Sequence, residues 1–321
     1  MNKNLMPERL PIKLHLPTKF FDEEARCDYR VTRKQKKVWA VELDLLKTFI
    51  EVCTRHGIKY TVFAGTMLGC VRHQGFVPWD DDIDVALMRP EYEKLCKVAA
   101  YEFNHPYFFQ TALTDKRFFF AYARLRNSET TGVIMDNASM SYNNGIYIDI
   151  YVLEGYPSSG LGWKIQDFVL LIMTKCMTLY NQERPRNRSF KEMILRLPRP
   201  IVRMISYEKL FTAYNSVLGF FSKKTDRIGM RFWFGNLAQR YWVYKDEMEN
   251  LVEAKFETLK VSICASADTI LKRIYGDYKL FPPRETRGKW HAGQVFFAPG
   301  IPYKTFLARS QTANSALSDL Q

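Results

Sequence analysis

Asp80, Asp81, Asp82 and Asp84 open directly into Val85-Ala86-Leu87-Met88, so four carboxylates stand at the head of an apolar run. Clustered carboxylates repel one another, and beside Phe76, Val77 and Val85 that repulsion is poorly screened unless a cation sits among them. The segment DIDVALM, closed by Pro90, reads as a β-strand. Residues two apart on a strand share a face, so Asp82 and Asp84 are expected to point one way while Ile83 and Val85 enter the core. Two carboxylates side by side make half of a divalent-cation site.

Hard oxygen ligands favour Mg2+ or Mn2+ over zinc, and Mg2+ takes one or two protein carboxylates with substrate phosphates filling other positions. The six cysteines, at 27, 53, 70, 96, 176 and 264, form no CxxC pair and suggest neither a zinc site nor a disulfide framework, which fits a reduced cytosol. A third carboxylate is supplied by Asp149, the acid inside the apolar run GIYIDIY, with Tyr147 and Tyr151 expected on its face of the strand. The alternative is a solvated turn at Asp80 to Asp84 and an edge-strand charge at Asp149. A mere turn need not continue straight into a hydrophobic strand, and this run does. Gly65 and Thr66 fall at a strand-to-helix junction, where backbone N–H groups and a hydroxyl can meet a phosphate, or where a helix is simply capped. Arg72 and His73 follow on the same helix, placed to offer a cation to a phosphate or to cap the helix C-terminus.

The chain has 321 residues with 47% hydrophobic content, enough for a real core. An N-terminal arm over residues 1–33 precedes a helix in which Val38, Leu45, Phe49 and Val52 share one face and Gly57 is the stop. Then come a strand (IKYTVFAG), a short helix (TMLGCVRH), the DIDVALM strand, a helix (EYEKLCKVAAYEF) and the strands YFFQTAL, FFAYARLRN and GIYIDIYVLEG. The expected class is α+β, a mixed sheet flanked by helices over residues 34–155 with an added mainly helical, basic region over 156–255. Residues 256–307 are expected to rejoin the core through a strand, a helix from Ala267, a turn at Gly276 and a loop rich in Pro and Arg, with 308–321 a flexible tail.

A formal charge of +13 and a pI near 9.4 imply an anionic partner. Arg184, Arg186, Arg188, Lys191, Arg196, Arg199 and Arg203 alternate with Ile194, Leu195, Leu197, Ile201 and Val202, which suits an anionic membrane surface or a solvated helix pair. The N-terminus lacks a signal-peptide apolar run, and FVLLIMTKCMTLY carries Lys175 and is too short to span a bilayer. The expected location is cytoplasmic, with peripheral contact at the inner face of the membrane. No motif interleaving basic and aromatic residues points to RNA, so no nucleic-acid partner is expected.

The stretch GTMLGCVRHQGFVPWDDDIDV resembles the signature of the LicD family of phosphocholine transferases, shared with fukutin-related sugar phosphotransferases, and YGDYKLFPPRETRGKWH resembles that family's second block. The resemblance implies a nucleotidyltransferase-type fold in which Gly65 and Thr66 match the phosphate-binding turn, Asp82 and Asp84 the acidic pair, and Asp149 the third acid holding Mg2+. Thr66 stands where the wider superfamily often has Ser, and the hydroxyl is kept. The implied donor is CDP-choline, the acceptor a sugar hydroxyl of a surface glycan (lipopolysaccharide, capsule or teichoic acid, on a lipid carrier in one version), and the released product CMP. Asp80, Asp81 and His73 are the candidates for a general base. Tyr147, Tyr151, Trp79, Tyr122 and Trp290 are candidate walls for the choline cation. Arg287 and His291, with Lys289, are candidate phosphate or acceptor contacts. The competing readings are transfer of ribitol or glycerol phosphate, nucleotidyl transfer, and a basic membrane- or nucleic-acid-binding protein whose acids are inert.

Overall fold

The computed structural model describes residues 10–135, 142–156, 160–181, 199–231, 240–288 and 295–308. A hairpin of β1 (Glu24–Arg26) and β2 (Tyr29–Val31) leads into α1 (Arg33–Arg55), which begins where Thr32 Oγ1 accepts the Gln35 amide at 3.2 Å. Val38, Leu45, Phe49 and Val52 are all buried on α1, as the 3.6-residue period requires. The opposite side of the helix is covered too. Asp44 Oδ1 accepts the amides of Lys13 and Leu14 at 2.8 and 2.7 Å, and Leu10 and Leu16 pack with Ala40. From Leu10 onward, the stretch read as an arm is therefore part of the packed body. The acceptor that fixes its backbone lies 30 residues away, out of reach of a local reading.

The main sheet is built around β8 (Ile146–Gly155), every residue of which is buried. Between α1 and β8 the chain forms β3 (Thr61–Val62), α2 (Ala64–His73), β4 (Asp84–Met88), α3 (Arg89–Glu102), β5 (Tyr107–Gln110), β6 (Ala123–Asn127) and β7 (Thr131–Ile134). β4 runs parallel to one edge of β8, with Asp84 opposite Asp149. The other edge is shared. β6 pairs antiparallel with the first half of β8 and places Arg124 opposite Asp149, and β9 (Arg227–Met230) pairs with the second half. β3 lies outside β4, β5 outside β6, and β10 (Trp242–Tyr244) outside β9. The class expected from the sequence, α+β with helices on a mixed sheet, is the class observed.

Two details differ from the strand pattern. β4 starts at Asp84, so Asp82 belongs to the lead-in; the ladder reaches one residue further, through Asp149 N donating to Ile83 O at 2.9 Å. β3 keeps two residues of IKYTVFAG, because Phe63 still donates to Asp84 O at 2.9 Å and the chain then turns into α2 at Ala64.

The basic region begins helical, with α4 (Gly160–Asn181), α5 (Arg199–Val202) and α6 (Tyr207–Leu218). Leu170 and Met177 of α4 pack with Tyr207, Leu210, Phe211, Tyr214 and Leu218 in an apolar cluster of their own. It does not stay helical to residue 255, since β9 and β10 return to extend the sheet. After α7 (Lys245–Glu249), the hairpin β11 (Leu251–Phe256) to β12 (Leu259–Cys264) and α8 (Ala267–Tyr275) close over α2, and β13 (Val295–Ala298) pairs with β7.

Gly69 sets how closely α2 can approach the turn that follows it. A Cβ there would lie 2.4 Å from Gly75 O and 3.2 Å from Val77 N, both backbone atoms that cannot rotate away. Gly69→Ala is expected to cost about 1–3 kcal/mol in urea denaturation, as overpacking does, and a change below half that would show the turn can yield.

Candidate active site

Three strands bring one charged row together. Asp84 on β4, Asp149 on β8 and Arg124 on β6 are register partners across the sheet, and register partners present their side chains to the same face. Arg124 Nε donates to Asp149 Oδ1 at 2.6 Å, with side-chain exposures of only 5% and 8%. Tyr151 donates its hydroxyl to Asp149 Oδ2 at 3.3 Å, and the Arg124 guanidinium lies 3.9 Å from the Tyr147 ring centroid. Tyr147 and Tyr151 thus share the Asp149 face, as alternation predicts, but the chain's own arginine already covers one ring. Beside them Arg126 is fully buried and donates to Gln110 Oε1 and Gly145 O, each at 2.5 Å. Burial, then Arg124, pushes its pKa down to about 10. Arg124 Nη1 and Arg126 Nη2 are buried without a partner.

The acids lie on the other side of Asp149. Thr66 Oγ1 accepts the Asp84 amide at 2.7 Å, locking the start of α2 to the start of β4. A Cβ on Gly65 would stand 2.7 Å from Asp80 Oδ2, so a side chain at 65 would displace the Asp80 carboxyl from the helix start. Ala64 takes φ 45, a left-handed conformation that a non-glycine adopts at a cost, and no side chain caps this helix N-terminus. Burial, then the neighbouring aspartates, raises the Asp80 and Asp84 carboxyls well above their usual range. Asp84 Oδ1 is buried with no partner.

A fifth acid arrives from α1. Glu42 is 1% exposed, Oε2 has no partner, and burial followed by the charges of Asp81, Asp82, Asp80 and Asp84 raises its carboxyl strongly. Asp44, two residues on, is buried to the same degree but fully served by two amides and the Tyr107 hydroxyl at 2.7 Å. The contrast separates an acid that holds the fold from one that belongs to the acidic site. Glu42 sits inside the apolar period Val38, Leu45, Phe49, and an acid interrupting such a stripe is the sequence signal that would have found it.

The residues that could hold a divalent cation are Asp82 and Asp84, with the orphaned Asp84 Oδ1 as the open position. Among the described residues no three His, Cys, Asp or Glu side chains form a ready metal cage, so phosphate and water oxygens would complete the shell, as they commonly do for Mg2+.

Arg72, His73 and Arg287 gather separately, at the far end of α2. Seven residues of helix put His73 roughly 10 Å along the axis from Thr66. Arg72 Nε donates to His73 Nε2 at 2.9 Å, Arg72 Nη1 to Tyr278 O at 2.6 Å, and Arg287 Nη1 to Cys27 O at 2.7 Å. Both guanidinium groups lie over Trp79 and Phe281, and His73 stacks on Phe281 at 5.8 Å. Burial, then Arg72 and Arg26, pushes His73 down to about 4, leaving it a neutral, weak base. The second block reaches the acids through a different residue: the Tyr275 hydroxyl is raised by burial, then by Tyr241, Asp84 and Asp80. His291, Trp290 and Lys289 lie outside the described residues.

With this geometry, residues 57–168 match the family described as LicD/FKTN/FKRP, nucleotidyltransferase domain. The chain carries a LicD-family domain. The match runs from Gly57 into α4, taking in the Gly65 turn, all four clustered aspartates, Arg124 and Asp149. A protein named lipopolysaccharide cholinephosphotransferase LicD, from Haemophilus influenzae, is 26% identical over 264 residues, covering 79% of this chain and 94% of that one. An uncharacterized protein of Rickettsia prowazekii is 37% identical over 92 residues, covering 25% of this chain and 33% of that one.

Two measurements probe the arrangement. Arg124→Met leaves the Asp149 carboxylate buried and unpaired, an expected loss of about 3–5 kcal/mol, while adding Asp149→Asn should recover much of it; additive losses would mean the pair is not coupled. The folded His73 pKa of about 4 lies below its ordinary 6.5. The unfolded chain therefore binds the proton first as pH falls, and His73 contributes stability above 6.5 that is lost on the way down to 4. His73→Phe should lack that part of the acid-side slope in denaturation measured against pH, and an unchanged slope would refute the assignment.

Proposed function

We propose that this protein transfers phosphocholine from CDP-choline to a sugar hydroxyl of lipopolysaccharide, releasing CMP, in a reaction that needs Mg2+ or Mn2+. The observation that carries the reading is the pairing of Asp84 with Asp149 beside the Gly65-Thr66 turn, with a buried Asp84 oxygen left open, inside a LicD domain. The Haemophilus influenzae relative supports phosphocholine as the group moved and lipopolysaccharide as the acceptor.

Asp82 and Asp84 would hold a divalent cation, which would supply the positive charge that a diphosphate needs for transfer. The chain's own residues do the rest. The uncapped amides at the start of α2 are free of a side-chain cap and can donate to a phosphate oxygen. Thr66 keeps Asp84 in place beneath them. Arg124 holds Asp149 in a single orientation through the 2.6 Å bond. The acceptor oxygen attacks the phosphorus that carries choline, the bond from that phosphorus to the CMP oxygen breaks, and the hydroxyl proton passes to a carboxylate. Asp80 is the carboxylate we assign to that proton, because burial and its neighbours raise its proton affinity and its carboxyl lies against Gly65 at the helix start. His73, with both ring nitrogens engaged and its pKa near 4, is the weaker choice.

The test is CMP release from CDP-choline, with and without metal, by wild type and by Asp82→Asn and Asp84→Asn. Turnover should require Mg2+ or Mn2+ and fall roughly 100-fold or more in each variant. Metal-independent CMP release would remove the cation, and pyrophosphate from a nucleoside triphosphate would mark nucleotidyl transfer instead. The same cation should raise Tm. Asp80, Asp84 and Glu42 are raised above their unfolded values, so their contribution is present at low pH and is lost as pH rises through the folded values. Mg2+ should therefore stabilise wild type more at pH 8 than at pH 5, and Asp84→Asn should shrink the difference.

A further inference from the structure

α4 is apolar on two faces, and the packing accounts for one of them. Gln166, Leu170 and Met177 turn inward, the latter two onto α6. On the opposite side Leu161, Ile165, Phe168 and Ile172 recur at steps of four, three and four residues, a single stripe along the helix. These four side chains are 69%, 56%, 64% and 47% exposed. Lys164 and Lys175 fall along one border of the stripe by the same helical spacing, and both are exposed. Past the end of α4, where Arg203 Nη2 donates to Tyr180 O at 3.2 Å, Ile201, Met204 and Ile205 are exposed as well. Such a length of open apolar side chain on one helix is more than scattered surface hydrophobics supply.

What covers it is argued by charge. Among the described residues, 160–181 and 199–224 carry seven Lys and Arg against two Asp and Glu, a net +5. A second copy docked through this face would bring two such positive surfaces together. A surface that is negative, flat and apolar beneath its charges meets both features at once, and those are the properties of an anionic bilayer. No helix of the described residues is long and apolar enough to cross a membrane, which leaves a helix lying in the interface.

We propose that the exposed face of α4, with the flanking basic side chains, docks on the surface of a bilayer containing anionic phospholipid. Leu161, Ile165, Phe168 and Ile172 enter the headgroup boundary, while Lys164 and Lys175 stay at the level of the lipid phosphates. The docking does not depend on the transferase reading.

The measurement is co-sedimentation of the full chain with vesicles of phosphatidylcholine alone or of phosphatidylcholine with phosphatidylglycerol. Wild type should bind the anionic vesicles, bind the neutral ones at least roughly tenfold more weakly, and be released by salt. Ile165→Glu with Phe168→Glu should lose that binding with circular dichroism and CMP release from soluble donor unchanged. Lys164→Glu with Lys175→Glu, which leaves every apolar contact in place, should weaken it separately. Failure of wild type to bind anionic vesicles overturns the proposal, as does equal binding by both variants. A wild-type dimer in sedimentation equilibrium that Ile165→Glu with Phe168→Glu disperses, without vesicle binding, assigns the face to a second copy instead. Vesicle binding needs neither donor nor acceptor, so its outcome is independent of whether CMP is released.

Discussion

The repulsion among carboxylates collected at one end of a parallel strand pair is the constraint around which this molecule is arranged. Asp80 and Asp84 are raised by burial and then by neighbouring aspartates, Asp82 first in each case, and Glu42 comes in from α1 to add to the same field. Folding alone would not favour such a group, since Asp84 Oδ1 and Glu42 Oε2 lose hydration without gaining a partner. One acid of the row, Asp149, is compensated by Arg124. The unpartnered carboxyl oxygens of Asp84 and Glu42 are a cost in stability located within this acidic cluster.

The rest of the fold can be understood as holding that field in place. β8 offers one edge to β4 and the other to β6, so that Asp84, Asp149 and Arg124 come into line through backbone register. Thr66 ties the start of α2 to Asp84, and Gly69 lets α2 close down on the Gly75 turn. At the far end of α2, Arg72 and Arg287 clasp Trp79 and Phe281, drawing the second block and the β1–β2 turn onto the loop that leads to the aspartates. This second cluster has the composition of a phosphate site, but its arginines donate to the carbonyls of Tyr278 and Cys27 and to the His73 ring. Its evident work is positioning.

Much of the site was legible one segment at a time. The aspartate run, the Gly65-Thr66 turn and Asp149 announce themselves because each breaks a local pattern, acids before a strand or one acid within an apolar run. Arg124 was harder to see, since nothing in the run Ala123–Asn127 names its partner until β8 is laid beside it. Glu42 interrupts an apolar stripe in plain view, yet Asp44, two residues on, is just as acidic and serves only the fold. Nothing local distinguishes them; the partners do, and those are Lys13, Leu14 and Tyr107 for one and the aspartates for the other.

The sequence by itself determined the α+β class, the α1 stripe, the β4 and β8 strands and the identity of the acids, because these depend on periodicity and composition over ten or so neighbouring residues. Only the tertiary structure decided that Asp149 answers to Arg124, that His73 lies apart from the aspartates, that residues 227–230 and 242–244 rejoin the sheet, and which face of α4 is left open. Register and packing join residues distant in the chain, and the energy of a buried charge is fixed by neighbours that local sequence does not name.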